Sequence, residues 1–194
     1  MDLATIETPR LLIRTFAQAD LSHIHRILDQ TFGDGTQIAN QQALIERRSW
    51  LQWAILNQQW FLALHQPAYG ERAIVLKSSN ELIGAIGYVP CMAPFEQIPG
   101  MNSANTQSRY NTPEFGLFWA IDPQHQQKGY ATEAAQAMID YAFIQLRWKR
   151  IIATTEYENL ASQGVMRKLG MRLERNPFPD PPWLQIVGIL ENTH

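Results

Sequence analysis

Gln126-Gln127-Lys128-Gly129-Tyr130-Ala131-Thr132-Glu133-Ala134-Ala135 follows a β-forming run, Phe115 to Ile121, that ends at Asp122-Pro123. Apolar residues at Ala131, Ala135, Met138, Ala142, Phe143 and Leu146 then repeat with a helical period, which predicts a helix from about Gly129 to Leu146. A Gly-containing turn that opens a helix presents unpaired backbone N–H groups and the positive end of the helix dipole. That combination binds anions, so the first expectation is a ligand carrying phosphate or pyrophosphate. The turn is not a P-loop, because no Gly-Lys-Ser/Thr stands four residues after a first Gly. It also lacks the paired glycines of a dinucleotide fingerprint.

Upstream of the turn, Leu11 to Phe16 reads as a strand after Pro9. Asp20 is placed to cap a helix whose apolar face is Leu21, Ile24, Leu28 and Phe32, ended by Gly33-Asp34-Gly35. Residues from Ile38 to about Asn57 look helical but less clearly amphipathic, and Trp50, Trp53 and Trp60 fall nearby as core or interface aromatics. Ala73–Lys77 and Leu82–Val89 flank Ser78-Ser79-Asn80-Glu81 and predict a hairpin. Residues 90–113, with Pro90, Pro94, Pro99, Gly100 and Pro113, are expected to be a functional or disordered loop.

Downstream, Ile151–Thr155 predicts a strand, and Asn159 caps a helix with Ala161, Val165 and Leu169 on one face, stopped by Gly170. Arg172–Arg175 and Leu184–Leu190 predict two more strands, split by the turn-rich 176–182 segment. Neither an internal repeat nor a linker divides the chain. The expectation is a single α/β domain over residues 1–194, with a mixed central sheet of about seven strands flanked by helices.

The 194 residues suffice for one sizeable core. A net charge of −2 without a Lys/Arg block argues against a nucleic-acid partner, and Arg147–Arg150 reads as cations at a helix end. The one cysteine, Cys91, excludes an internal disulfide and any multi-Cys zinc site, and fits a reduced cytoplasmic place. The N-terminus does not read as a signal peptide, and no apolar stretch is long enough for a bilayer, so no membrane association is expected. His23, His25, His65, His125 and His194 are scattered without metal-ligand spacing, so no metal is expected. His125, beside the turn, reads as a solvated loop histidine or a further cofactor contact.

The wider pattern gives the turn an owner. Gln126-x-x-Gly129-x-Ala131 after a strand resembles the Gln/Arg-x-x-Gly-x-Gly/Ala signature of the GCN5-related N-acetyltransferases. Gly129-Tyr130-Ala131-Thr132-Glu133-Ala134 resembles their ribosomal-protein N-terminal acetyltransferase (RimJ/RimL-like) subgroup. Thr8-Pro9-Arg10-Leu11-Leu12-Ile13-Arg14 is similar to that subgroup's first strand, and Leu82-Ile83-Gly84-Ala85-Ile86-Gly87 to its third. Asn159-Leu160-Ala161-Ser162 with Val165–Gly170 is similar to its last helix. Together these cover nearly the whole chain in the expected order.

The resemblance implies acetyl-coenzyme A as cosubstrate. It assigns the pyrophosphate to the Gln126, Gln127, Lys128, Gly129, Tyr130, Ala131 and Thr132 turn, with a hydroxyl from Thr132. It lays the pantetheine arm along Phe118, Trp119, Ala120 and Ile121, provided that this strand splays from its neighbour. The subgroup has Gly where this chain has Gln127. Either the turn differs slightly there or Gln127 lies in an ordinary backbone region, and a permissive position is the favoured expectation.

Acyl transfer to an amine needs a route for the amine proton, an oxyanion donor and an acid for the leaving thiolate. By resemblance Glu114 is the candidate base, directly or through water; its structural alternative is a strand-end surface Glu. The Tyr that many relatives use as acid is replaced by Met166, and Ser162 one turn earlier becomes the candidate thiolate partner, its alternative an idle first-turn Ser. Asn159 is a candidate contact for the cofactor arm and equally a plain N-cap, while Tyr130 and Tyr157 have packing explanations. The expected activity is N-acetyltransfer from acetyl-coenzyme A to a primary amine, a protein N-terminus or a small molecule, by direct attack on the thioester. The expected assembly is a monomer or homodimer. The alternative is a non-catalytic acyl-coenzyme-A-binding or sensing module of the same fold.

Overall fold

The computed structural model describes residues 5–33, 35–101 and 110–193. The elements are β1 (Ile6–Glu7), β2 (Leu11–Arg14), α1 (Leu21–Phe32), α2 (Gln41–Ala63), β3 (Gly70–Leu76), β4 (Leu82–Ala93) and β5 (Thr112–Ile121). They continue with α3 (Tyr130–Asp140), β6 (Arg150–Thr155), α4 (Leu160–Lys168), β7 (Arg172–Arg175) and β8 (Ile186–Glu191). The strands form one mixed sheet in the order β1-β2-β3-β4-β5-β6-β8-β7, eight strands rather than about seven. The additional strand is β1, whose two residues are too few to show alternation in sequence.

The chain divides into two compact units, Met1–Tyr88 with Phe118–Met138, and Val89–Leu117 with Ile139–His194. In the first, α1 and α2 bury Ile24, Ile27, Leu28, Leu51 and Ala54 against Ala73 and Val75 of β3, Leu82 and Ala85 of β4, and Ala120 of β5. The predicted hairpin forms, with register Gly70↔Tyr88 to Val75↔Leu82 and an irregularity between Ile74 and Val75. Its turn puts Asn80 in the left-handed region at φ 55°, where Asn is among the few tolerant residues.

Four helix expectations need correction in this unit. Asp20 does not cap α1 with its side chain. A 3-10 turn, Gln18–Asp20, already carries helical backbone into α1. The Asp20 carboxylate faces back instead, accepting from Arg14 Nη1 and Nη2 at 2.8 and 2.9 Å and from the Ala17 amide at 2.8 Å. Phe32 is 65% exposed rather than part of the buried face. α2 is longer than expected and begins at Asn40, whose Oδ1 accepts from the amides of Gln42 and Ala43. Of its tryptophans only Trp50 packs inward, edge-on against Phe16 at 5.5 Å, while Trp53 and Trp60 are exposed. Apolar residues on both sides of α2 blurred its amphipathic signal.

In the second unit β6, β8 and β7 form a continuous antiparallel set, from Arg150↔Glu191 to Thr155↔Ile186 and from Arg172↔Ile189 to Arg175↔Ile186. β5 runs parallel to β6, and their ladder among the described residues is the single pair Gly116↔Ile152. Part of the expected loop 90–113 is packed structure: β4 runs on to Ala93, and two 3-10 turns, Phe95–Gln97 and Pro99–Met101, follow. Phe95, Ile98 and Met101 join Ile152, Leu184, Val187 and Ile189 in a core cluster. Residues 102–109 lie outside the described residues, as does His194. The expected 129–146 helix is α3 followed by a π turn, Tyr141–Gln145, and Arg150 belongs to β6 rather than to a helix end. α4 buries Gln163, Met166 and then Leu169, whereas Ala161, expected on that face, is exposed.

Candidate active site

The end of β5 feeds the turn directly. Phe118 and Trp119 are half-buried, and Ala120 and Ile121 are buried. Asp122, 1% exposed, starts the 3-10 turn Pro123–His125, with Oδ1 accepting from the Gln124 amide at 3.0 Å and Oδ2 from Arg26 Nη2 at 2.8 Å. Burial alone would raise the Asp122 carboxyl, but the Gln124 amide and Arg26 outweigh it and hold it below its ordinary value. Gln126 folds its side chain back, Nε2 donating to the Ile121 carbonyl at 3.0 Å, and Lys128 Nζ donates to the Gln124 carbonyl at 2.9 Å. These bonds commit the Gln126 and Lys128 side chains to holding the turn.

Gln127 and Gly129 both sit in the left-handed region, at φ 60° and 83°. Gln127 is therefore not in an ordinary region: the turn keeps the conformation that a glycine would take, at a cost of about 1 kcal/mol for a residue with a Cβ. An anion-binding nest is built where right-handed and left-handed residues alternate, and Gln127 and Gly129 supply two left-handed positions on either side of Lys128. Among the described residues no side chain accepts from the first amides of α3 (Glu133 N donates to the Gly129 carbonyl at 3.0 Å), so the Gly129–Thr132 amides stand at an uncapped helix start.

A clamp that sequence reasoning missed fastens this turn. Glu133 Oε1 accepts from the Thr8 hydroxyl at 2.6 Å and the Arg10 amide at 2.9 Å, and Oε2 accepts from Arg10 Nε at 2.6 Å. Arg10 Nη1 donates to the Lys128 carbonyl at 3.0 Å, and its guanidinium lies 4.5 Å from the Tyr130 ring centre. Burial works to raise the Glu133 carboxyl, but the Thr8 and Arg10 hydrogen bonds outweigh it and hold it low. Thr8-Pro9-Arg10 and Glu133 each stood inside a recognisable segment, yet nothing in the spacing links residues 125 apart.

His125 is not a solvated loop residue. Only 13% of its side chain is exposed, with Nε2 3.6 Å from Glu81 and the ring 6.4 Å from that of Tyr130. Among the described residues no three His, Cys, Asp or Glu stand together as a metal site. No helix among them is long and apolar enough to cross a membrane.

The remaining candidates lie in the second unit. Glu114 is 9% exposed and forms a two-pronged ion pair with Arg150, Nε donating to Oε2 at 2.8 Å and Nη2 to Oε1. The hydrogen bonds that Arg150 donates to Glu114 are the main reason why its guanidinium is raised. Glu114 is thus neither a solvated strand-end group nor an uncommitted carboxylate. Asn159 caps α4, its Oδ1 accepting from the Ser162 amide at 3.0 Å. The Ser162 hydroxyl, half-buried in that first turn, takes no partner among the described residues. Met166 is fully buried, packed near Gly188 of β8. Tyr157 donates to the Asn176 carbonyl at 2.6 Å beneath the Arg175 guanidinium, a packing role as expected.

Residues 10–172 match the family model described as an acetyltransferase (GNAT) domain. The chain belongs to the GNAT family. YnaD of Bacillus subtilis (strain 168), an uncharacterized N-acetyltransferase, is 50% identical to it over 64 residues, 33% of this chain and 36% of that relative. The match thus spans well under two thirds of that relative's length. A GNAT-fold neighbour, an acetyltransferase from Agrobacterium tumefaciens, superposes with a TM-score of 0.70 at 22% identity over 98% of this chain and 96% of its own. RimL, a ribosomal L7/L12 alpha-N-protein acetyltransferase in complex with coenzyme A, superposes with a TM-score of 0.62 at 15% identity, over 97% of this chain and 98% of that one. At these identities the solved structures speak to the fold alone.

Proposed function

We propose that this GNAT chain is an acetyl-coenzyme-A-dependent N-acetyltransferase acting on a primary amine, a protein N-terminus or a small molecule. In this reading the two units work as one domain and the protein acts in the cytoplasm. The observation that carries it is the turn of residues 126–130: two left-handed residues, an uncapped helix start and a clamp that keeps both in place. These features fit a pyrophosphate, with the Gln127–Thr132 amides as donors and the Thr132 hydroxyl beside them. The single-pair β5·β6 ladder supports a pantetheine arm along Phe118–Ile121, because unpaired strand groups can accept a ligand as an added strand. The coenzyme A bound by RimL supports the choice of donor.

When bound, the cosubstrate supplies an acetyl group activated as a thioester. The chain's own residues then orient it and manage protons. The amine nitrogen bonds to the acetyl carbon, the carbon–sulfur bond breaks, and the amine proton leaves to water or base while the thiolate takes one up. Ser162 is assigned to the thiolate and Asn159 to the arm. Arg150 occupies both oxygens of Glu114, so Glu114 draws the proton through an intervening water.

The decisive experiment measures thiol release from acetyl-coenzyme A over a panel of peptides with free N-termini, amino acids, polyamines and amine drugs. Turnover with at least one amine is expected. Acetyl-coenzyme A, but not inorganic phosphate or ATP, should raise the melting temperature, by roughly 2.7 kcal/mol of stability at a hundredfold excess over Kd. A second reading, a non-catalytic acyl-coenzyme-A sensor, is favoured by the Arg150-bound Glu114 and by Met166 at the usual tyrosine position. Binding without turnover across the panel would select it.

A further inference from the structure

The sixteen-residue stretch 49–64, which contains the C-terminal two thirds of α2, has no Asp, Glu, Lys or Arg. One side of α2 packs Leu51 and Ala54 into the core. On the opposite side Ile45, Trp53, Leu56, Trp60 and the helix-capping Leu64 are 52%, 45%, 40%, 63% and 62% exposed. At 3.6 residues per turn these five fall within about 100° of the helix circumference. Trp53, Leu56 and Trp60 follow the 3-4 spacing of a helix-pairing seam. Together they present roughly 600 Å² of apolar surface, at the upper end of what a monomer ordinarily leaves in one contiguous patch.

We infer that this face of α2 is a homodimer interface, in which α2 of one copy lies antiparallel on α2 of a second. Three observations select this occupant. Roughly 600 Å² from each copy reaches the lower end of the area that a specific two-protein interface buries. The seam has no charge with which to select an unlike partner, and a self-complementary apolar face suits a two-fold axis. The charged residues of α2, Glu46, Arg47 and Arg48, are at the N-terminal end of the helix. A parallel pair would set Glu46 on Glu46 and Arg48 on Arg48, whereas an antiparallel pair centred near Leu56 sets Glu46 opposite Gln66 and Arg48 opposite Leu64. A membrane surface fits worse, because interfacial helices carry Lys and Arg on their polar side and residues 49–64 carry none.

Sedimentation equilibrium of the full chain tests this. The expected mass is twice the 22.2 kDa of one chain at micromolar concentration. Trp53→Glu and Trp60→Glu, both at exposed sites, should each weaken self-association at least tenfold while circular dichroism and melting temperature stay within the range of the parent. In a Cys91→Ser background, Leu56→Cys should cross-link to its own copy under mild diamide oxidation, because it lies near the two-fold axis. A wild-type mass of one chain at the highest soluble concentration would overturn the inference. So would a dimer that persists in both tryptophan variants, or a Leu56→Cys dimer that resists cross-linking. None of these readouts requires acetyl-coenzyme A, so they stand or fall separately from the proposed activity.

Discussion

Two helix starts in this protein carry family-like motifs, and they are built in opposite ways. α4 begins with a conventional cap: Asn159 Oδ1 takes the Ser162 amide, so the helix satisfies one of its own orphan donors. α3 begins without a side-chain cap among the described residues, after two left-handed residues, and its own Glu133 ties it to Thr8 and Arg10. A helix start that caps itself has less to offer an anion. One whose amides stay open while other side chains hold its shape is ready for one. On the proposed function, α3 is the helix start that binds and α4 contributes the Ser162 hydroxyl.

The most direct way to break this contrast is Gly129→Glu. It adds a Cβ at φ 83° and a negative charge where the open amides converge, and should cost about a hundredfold in acetyl-coenzyme A affinity, about 2.7 kcal/mol. Calorimetry on a variant with an unchanged circular dichroism spectrum checks it, and unaltered affinity would remove the turn from the donor site. Ser162→Ala asks the complementary question at α4. Turnover should fall roughly tenfold or more while acetyl-coenzyme A affinity shifts less, and an unchanged kcat would leave that hydroxyl without a role.

Glu133→Gln sharpens the comparison at the clamp. Because the folded-state carboxyl is held below its ordinary value of 4.5, its contribution to stability is present above that value and is lost as pH falls through the lower folded one. The parent's melting temperature should therefore drop as pH is taken below 4.5, and the variant's should drop less steeply over the same interval. The variant should also bind acetyl-coenzyme A severalfold more weakly at neutral pH; equal slopes and equal affinity would make the clamp incidental. The smallest effect is expected for Gln127→Gly. Relieving the left-handed strain is worth up to about 1 kcal/mol, offset in part by glycine's looser unfolded chain, so a rise in melting temperature of at most about 4 °C is expected. A clear fall would mean that the Gln127 side chain holds the turn.

Much of this was legible in the chain itself. The strand ending at Ile121, the helix after Gly129 and the Asn159-capped α4 each announce themselves through local periodicity and local caps, and each forms in its expected place with altered bounds or buried face. The misreadings share a cause: contacts and exposure that no periodic pattern displays. Asp20 looks like a cap until Arg14 and the 3-10 turn before α1 claim its carboxylate. Residues 95–101 look like loop because their burial comes from Leu184 and Val187, almost ninety residues on. α2 looks poorly amphipathic because its outer face is as apolar as its inner one.

The sequence by itself determined the order of elements, the family and the position of the turn before α3, because periodicity, caps and glycine punctuation act over a few residues and can be read from neighbours alone. Only the tertiary structure decided that Gln127 adopts the left-handed conformation, that Glu133 ties residues 8–10 to the turn, and that Glu114 is committed to Arg150. The last two depend on side chains brought close by folding. The strength of such contacts is set by distance and burial in space, and separation along the chain carries no record of either.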